Sequence, residues 1–298
     1  MKTYLECIPC FFNQALKAAN TAGANDIKKK EILDEIAKIV PKFSLKASPP
    51  EMAQIVHRIV RTISGNKDPY RKAKEKSNKL TLAAKDKLRI KIENSNNRLL
   101  TAVELAIAGN IIDFGPKSDL DVDSEINRIL NEEKQTIKKE NKALFQFKEF
   151  EKALKKAKTI LYLGDNVGET IFDSLLLEEI KQVFPEKDIK YVVRATPIIN
   201  DALYEDAYKA GIDKYAEIIN SGVDSPGTVL SLCSKEFLQK FKQADLIISK
   251  GLGNYEALSH EAGPIYFLFM TKCPVIAKHL NCNIGNVILK KGRGKIIL

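Results

Sequence analysis

The sequence has few of the residues that build cross-linked or histidine-ligated sites: five cysteines and three histidines among 298 residues. An odd number of cysteines without a regular spacing favours reduced thiols over a disulfide framework. His57, His260 and His279 form no spaced pair, which argues against a histidine-based zinc site. A chain of this length can bury a substantial core without cross-links.

Long hydrophobic runs are also missing. The longest apolar stretch, residues 264–270, has the length of a strand and falls short of the ~18 residues that a membrane-spanning helix needs. Residues 1–7 lack the apolar segment of a signal peptide. We therefore expect a cytoplasmic protein that does not cross a membrane.

The composition is that of a globular protein, with 44% apolar and 29% charged residues. At ~150 residues per domain, the length allows about two domains or one large one. These values exclude a wholly disordered or collagen-like chain and a disulfide-stapled miniprotein.

Positive charge is concentrated in one segment. The formal net charge is +10, and residues 66–98 contain eleven Lys and Arg against four acidic residues. Such a stripe can attract nucleic acid or another polyanion. The alternative, which we favour, is a solvated helical face. The segment has a single aromatic residue, Tyr70, and so offers no stacking platform for nucleic acid.

The apolar periodicity changes along the chain. The first half has helical spacing, and residues 123–157 also read as helical. The second half alternates helical stretches with short β-branched runs at 159–163, 189–193, 216–219, 246–249, 265–269, 275–277 and 287–289. This alternation predicts a three-layer α/β fold with a mostly parallel sheet. We expect a helical region over residues 1–155 packed on an α/β domain over residues 156–298.

Polar residues follow four of the predicted strands, at 164–169, 194–201, 220–228 and 250–256. Ligands of open α/β sheets bind outside the carboxyl ends of the strands. Asp165, Asn166 and Asp201 are hard oxygen donors that suit Mg²⁺ or Mn²⁺. The first two residues alone are equally typical of a turn or a helix cap. With Asp201 on a neighbouring strand end, the metal site becomes the better interpretation.

The remaining polar residues of these loops suit an anion. The glycine-containing segment 221–228 precedes a predicted helix and is typical of a phosphate or sugar-hydroxyl cradle, or of a simple helix cap. Asp224 there could accept a hydrogen bond from a hydroxyl. Lys250 could place its charge on a transferring phosphoryl group, or could be solvated. Glu169 and Glu256 fit several roles that the sequence does not rank.

Two further motifs have open interpretations. Cys7 and Cys10 form a CxxC motif, which binds metal or cycles between redox states in other proteins, but no second CxxC is present. Buried structural thiols are the alternative. Asn110 and Asp113 follow a predicted helix end and would reach the crevice only if that helix packs over it.

Taken together, the motifs resemble the damage-control phosphatases, formerly catalogued as a domain of unknown function. The matching motifs are Cys7-x-x-Cys10, Gly109-Asn110-x-Ile112-Asp113, Gly164-Asp165-Asn166-x-Gly168-Glu169, Asn200-Asp201, Ser221-Gly222-x-Asp224, Lys250-Gly251-x-Gly253-Asn254-Tyr255-Glu256 and Lys272-Cys273. The CxxC motif, the tetrad Gly253-Asn254-Tyr255-Glu256 and the pair Lys272-Cys273 resemble the family's largely prokaryotic first subfamily. Tyr255 stands where that subfamily has a phenylalanine.

The resemblance implies a metal-dependent phosphatase that uses Mn²⁺, Ni²⁺, Co²⁺ or Mg²⁺ on small phosphorylated metabolites. It implies Asp165, Asn166 and Asp201 as metal ligands, and Asp165, Asp201 and Lys250 as catalytic residues. It also implies a substrate-binding set of Asn110, Asp165, Asn166, Glu169, Ser221, Gly222, Asp224, Ser225, Lys250, Asn254 and Glu256. Cys7, Cys10 and Cys273 are its motif cysteines.

Hydrolysis could proceed by direct attack of water or through an aspartyl-phosphate. The chain lacks the Asp-x-Asp nucleophile motif of the haloacid dehalogenases. Two rival functions stay open on the sequence alone. One is an S-adenosylmethionine-dependent carboxyl methyltransferase, although the loop at 164–168 is wider than the usual glycine-rich cofactor loop. The other is a polyanion-binding protein without enzymatic activity.

Overall fold

The computed structural model describes residues 1–109, 138, 141–142 and 144–293. Five helices precede the sheet in these ranges: α1 (Cys7–Thr21), α2 (Asp26–Ile39), α3 (Pro49–Ser64), α4 (Arg71–Glu93) and α5 (Arg98–Ala108). Local chemistry sets the ends of α3. Ser48 and Glu51 form a capping box at its start, and Gly65 ends it with φ of 77°. The helical character predicted for this region is confirmed.

The rest of the described chain builds a seven-stranded sheet. Its strands are β1 (Leu144–Phe145), β2 (Thr159–Leu163), β3 (Asp188–Val193), β4 (Glu217–Asn220), β5 (Leu246–Lys250), β6 (Ile265–Met270) and β7 (Val287–Lys291). The order across the sheet is β1-β7-β6-β5-β2-β3-β4. Neighbouring strands are parallel except for the antiparallel pair β6 and β7. The predicted α/β class is confirmed.

Helices cover both faces of the sheet. The helices that follow β1 are α6 (Phe147–Lys156), α7 (Glu169–Val183), α8 (Tyr204–Ala210), α9 (Lys235–Gln243), α10 (Gly251–Leu258) and α11 (Pro274–Leu280). Alternate residues of each central strand point to opposite faces. Accordingly Tyr162 and Ile248 pack with α4, α5 and α7 in one core, while Leu163 and Ile247 pack with α9, α10 and α11 in another.

Helices α1, α2 and α3 form a third apolar core of their own. Helices α4 and α5, in contrast, contribute residues to the core on one face of the sheet. The division of the chain at 155/156 stays a prediction. Strand β1, at Leu144–Phe145, lies before that position and pairs with β7.

Two predictions for individual elements were wrong. Residues 275–277, predicted as a strand, lie in α11, which begins at Pro274. Proline suits the first helical position because its missing N–H would have no partner there, and three apolar residues are too few to indicate a strand. The stretch 123–157 was predicted to be helical, but in its described part only α6 is helical and residues 144–145 form β1.

The strand order contains a reversal next to β2. From β2 the chain adds β3 and β4 on one side, and then places β5 on the other side of β2. The connections leaving the carboxyl ends of β2 and β5 therefore diverge and leave a crevice between them. No helix in the described ranges is long and apolar enough to cross a membrane.

Replacing Ile248 by alanine tests the importance of the central strand. Ile248 in β5 is fully buried, and removing its methyl groups should lower the free energy of unfolding by ~2–5 kcal/mol. The same replacement at Ile90 in α4, which is 55% exposed, should change it by less than ~0.5 kcal/mol. Urea denaturation measures both, and equal effects would contradict the placement of β5 in the core.

Candidate active site

The crevice brings the first predicted site residues together. Asp165 and Asn166 follow β2, and Asp201 lies in the loop that follows β3. The backbones of Asn166 and Asp201 form an isolated antiparallel bridge. The Ala202 amide donates to the Asp165 carbonyl at 2.9 Å, which fastens the two loops together. The expected neighbourhood of Asp165, Asn166 and Asp201 is thus present at the carboxyl edge of the sheet.

Four carboxylates and two cations are buried around this point. Asp165, Glu169, Asp173, Asp201, Arg194 and Lys250 are each at most 7% exposed. With all six ionised, these six groups sum to two negative charges, and Lys74 and Lys272 add positive potential at Asp201 and Glu169. Burial raises the pKa of Asp165 well above its usual range, and the neighbouring Glu169 and Asp201 add to the rise. The pKa values of Glu169 and Asp201 are also raised, first of all by burial.

Arg194, directly after β3, holds one side of the cluster. Its Nε donates to Asp201 at 2.7 Å, and its two terminal nitrogens donate to Thr228 at 3.1 Å and to Asn254 at 3.2 Å. A terminal nitrogen also lies 4.0 Å from Asp165. One planar guanidinium thereby joins the loops that follow β2, β3 and β4 to helix α10, which follows β5. Only an arginine offers donors in so many directions.

Lys250, at the end of β5, lies on the other side. Its ammonium donates to Asp173 at 2.5 Å and to Glu169 at 3.2 Å. Burial opposes the charged form, but the two carboxylates outweigh it and raise the pKa of Lys250. Asp173 also accepts from the hydroxyls of Tyr162 at 2.7 Å and Tyr191 at 2.8 Å. The lysine thus compensates buried carboxylates in this arrangement.

Asn254 connects the backbone of the surrounding loops. Its Oδ1 accepts from the amide and the hydroxyl of Thr228, both at 2.8 Å. Its Nδ2 donates to the carbonyls of Gly164 at 3.1 Å and Lys250 at 2.8 Å. Since both ends of its amide are occupied within the protein, its role as a substrate contact stays a prediction.

The segment 221–228 is anchored to α3. Asp224 accepts from Gln54 and pairs with Arg61 at 3.1 Å and Arg58 at 3.4 Å. Partial burial opposes its ionisation, but the Gln54 hydrogen bond and the two arginines lower the pKa of Asp224.

The other predicted binding residues of this segment are Ser221, Gly222 and Ser225. Both serines are fully buried and bond to backbone carbonyls, and Gly222 has φ of 79°. Their contact with a substrate also stays a prediction.

A cavity of about 340 Å³ opens beside the carboxylates. The strand ends contribute Asp165, Asn166 and Asp201 to its wall, and the opposite wall comes from α1 and α3. Its size suits a small-molecule ligand. Glu256 also lines it, whereas Lys250 and the predicted residues of segment 221–228 are not among its described lining residues.

All three motif cysteines lie on this cavity. Cys7 and Cys10 come from the first turn of α1, and Cys273 from the residue that precedes α11. The five cysteines of the chain are free thiols. Partial burial raises the pKa of Cys7, which disfavours its thiolate.

The donor set suits a hard divalent cation. Within the described residues, no group of three or more His, Cys, Asp or Glu side chains is arranged to hold a metal. The expected set contains only two residues of those types, with the amide of Asn166 as the third ligand. A divalent ion would offset the mutual repulsion that adds to the raised pKa of Asp165, and carboxylate and amide oxygens are the ligands such ions prefer.

Some predicted site residues lie outside the described part of the chain, and some residues observed in the site were not predicted. Asn110 and Asp113 lie outside the described residues. Arg194 was missed as a site residue, although it follows a strand directly and the same positional rule indicated it. Asp173 was also missed; its signal is the four-residue spacing from Glu169, which places both on one face of α7. Nothing in the sequence indicated the hydrogen bonds of Tyr162 and Tyr191 to Asp173, because both tyrosines read as ordinary apolar strand residues.

A carboxylate-rich crevice at the switch point of an open sheet is typical of an α/β enzyme for a small ligand. The family model of the damage-control phosphatase ARMT1-like domain matches residues 3–288, and the chain belongs to this family. The resemblance found in the motifs is thereby confirmed.

Relatives match over nearly the whole chain. A protein of Pyrococcus horikoshii named damage-control phosphatase is 31% identical, covering 99% of this chain and 100% of that protein. A protein of the same name from Archaeoglobus fulgidus is 32% identical, covering 97% of this chain and 99% of that protein. An uncharacterised protein of Methanocaldococcus jannaschii is 40% identical, over 96% and 94%. The crystal structure of a DUF89 family protein from P. horikoshii matches with a TM-score of 0.89 and 30% identity, over 98% and 100%.

Replacing Gly251 by alanine should displace Asp165. Gly251 has φ of +80°, and a Cβ there would lie 2.0 Å from Oδ2 of Asp165. The free energy of unfolding should therefore fall for two reasons. The left-handed backbone is strained by alanine, and the clash with Asp165 should cost an additional ~1–3 kcal/mol. Thermal unfolding measures this loss.

Gly285→Ala is the matched control. Gly285 has φ of +87°, and a Cβ at this position would have no atom within 4 Å. The change therefore adds only the strain of the left-handed backbone, ~1–2 kcal/mol. Equal stability losses in the two variants would contradict the close contact between Gly251 and Asp165.

Glu256 should make stability depend on pH. Burial raises its pKa to about 7 in the folded protein, whereas the unfolded value is ~4.3. Between these values the unfolded chain releases the proton first, so stability falls as the pH rises through this window. The slope from this group is at most ~1.4 kcal/mol per pH unit.

Glu256→Gln removes this dependence. The stability of the variant relative to wild type should rise from pH 4.5 to pH 7 and then level off. Urea denaturation at a series of pH values measures the difference between the two proteins. A difference that does not change with pH would contradict the raised pKa.

Proposed function

We propose that the protein is a metal-dependent phosphatase that hydrolyses phosphomonoesters of small metabolites, including sugar phosphates and damaged or side-product phosphometabolites. Family membership supports the phosphatase class. The observation that carries the metal dependence is the buried cluster of four carboxylates and two cations beside the cavity. The oxygen donors of the site suit Mg²⁺ and Mn²⁺, and the family resemblance adds Ni²⁺ and Co²⁺ as candidates. The five free thiols support a cytoplasmic location.

Asp165, Asn166 and Asp201 are the residues that would hold the ion. A divalent cation supplies a Lewis acid for the phosphoryl oxygens and a template for the attacking water. Asp165 lines the cavity and is held at 4.0 Å from the guanidinium of Arg194. Its carboxylate could accept a proton from the water that displaces the alcohol at phosphorus. In the other route it would itself displace the alcohol, and water would then hydrolyse the aspartyl-phosphate.

Positively charged side chains that are already fixed in the folded protein lower the free energy of an anionic transition state. Arg194 keeps Asp201 in a fixed direction through its 2.7 Å bond. Lys250 is held by Glu169 and Asp173, and its field reaches the same strand ends. The cavity of about 340 Å³ admits a small phosphoester and not a folded protein.

The two rival functions have less support. A carboxyl methyltransferase would need a cofactor loop, yet the loop after β2 presents Asp165 and Asn166 to the cavity. The polyanion hypothesis rests on the basic stripe of α4, and Arg71 and Arg89 there pair with acidic side chains. Neither hypothesis explains the buried carboxylate cluster.

Asp165→Asn and Asp201→Asn test the proposed ligands. Each removes one negative oxygen while keeping the side-chain shape, so the metal-dependent hydrolysis of a phosphate monoester should fall by at least ~100-fold. Phosphate release is measured with a panel of sugar phosphates and each of the four metals, with and without EDTA.

Asp26→Asn is the matched control, since the side chain of Asp26 is 98% exposed on α2. It should keep wild-type activity. Full activity in both cavity variants, or activity of the wild-type protein that EDTA leaves unchanged, would overturn the proposal.

A further inference from the structure

The side-chain amide of Asn166 has a single favourable orientation. Its Nδ2 donates to Oδ2 of Asp165 at 2.9 Å and to Oε1 of Glu169 at 2.7 Å. These two bonds use both hydrogens of the amide nitrogen. Turning the amide over would place Oδ1 against two carboxylates and exchange charge-assisted hydrogen bonds for repulsion. The amide oxygen is therefore kept on the opposite edge.

Glu169 is itself held in place by Lys250. Its second oxygen, Oε2, accepts from the ammonium of Lys250 at 3.2 Å. Lys250 donates to Asp173 as well, and Asp173 is held by two tyrosine hydroxyls. Glu169 is 2% exposed. The carboxylate thus has one oxygen committed to Lys250 and the other to Asn166.

We propose that Glu169 is a positioning residue that orients the Asn166 amide so that its oxygen, and not its nitrogen, faces a divalent cation in the cavity. This inference rests on the proposed function, from which it takes the metal ligands. Asn166 is a lining residue of the cavity, whereas Glu169 contacts Asn166 from the buried side. Its role is then exerted through Asn166 and is separate from substrate contact.

Glu169→Gln should remove the preference of the Asn166 amide for a single orientation. The ammonium of Lys250 requires an acceptor, so the new side chain turns its oxygen to Lys250 and its NH₂ group to Asn166. Asn166 can bond to this NH₂ group only by turning over, but turning over gives up its bond to Asp165. The two neighbours then favour opposite orientations, and the nitrogen should face the cavity in part of the molecules. We expect the affinity for Mn²⁺ to fall about 10-fold to 100-fold, as for other residues that orient a metal ligand.

The loss of a negative charge alone would also weaken cation binding, and a double-mutant cycle separates the two causes. In an Asn166→Asp background, residue 166 has an oxygen on each edge, so orientation no longer matters. There, Glu169→Gln should cost only the factor that the lost charge causes, which is smaller than its factor in the wild-type background. If charge alone is responsible, Glu169→Gln costs the same factor in both backgrounds, and the inference is overturned.

Titration calorimetry with MnCl₂ on the full chain gives the four affinities, with thermal unfolding as the check on folding. Glu169→Asp is a second variant that keeps the charge but withdraws the carboxylate from Asn166. It should weaken Mn²⁺ binding about 10-fold, and wild-type affinity would contradict the inference. It decides the question if Glu169→Gln does not fold.

The outcomes distinguish the inference from the proposed function. A wild-type chain that binds Mn²⁺, combined with equal effects of Glu169→Gln in both backgrounds, overturns the positioning role alone. A wild-type chain that binds none of the four metals overturns the metal dependence and the positioning role together.

Discussion

The burial of several carboxylates close together is the constraint on which the site is built. Carboxylates lose hydration when they leave water, and close packing of several of them adds mutual repulsion. Arg194 and Lys250 offset part of this charge, one from each side of the crevice. The rest of the local structure, from the tyrosine hydroxyls on Asp173 to the Asn254 cross-links, keeps these groups fixed. These contacts keep the carboxylates in a fixed geometry beside the cavity.

Much of this arrangement could be predicted from the sequence, because parallel strands bring their carboxyl ends to one edge. Asp165, Asn166 and Asp201 each follow a strand at that edge, and the structure places them together. Short apolar runs were less informative. Residues 275–277 have the apolarity of a strand but follow a proline that starts a helix. Strand β1 is two residues long, which is too short to show the alternation of apolar and polar residues that indicates a strand.

Side-chain partners were harder to predict than positions. Lys250 lies at the end of a strand as predicted, but its neighbours depend on which residues of α7 turn inward. Asp173 and Glu169 share one face of that helix, and the register of α7 on the sheet determines that both reach the lysine. Asp224 likewise meets Gln54 and Arg61 because of how α3 packs, which local sequence does not encode.

The two walls of the cavity have different origins. The carboxylates belong to strand ends inside a rigid sheet, whereas Gln14, Lys17 and His57 come from α1 and α3, which have an apolar core of their own. Exchanging side chains on the helical wall would alter the shape and polarity of the cavity, while the carboxylates of the other wall would keep their partners. Selectivity and reactivity can thus evolve independently in this architecture, so relatives with the same acidic centre need not share a preferred metabolite.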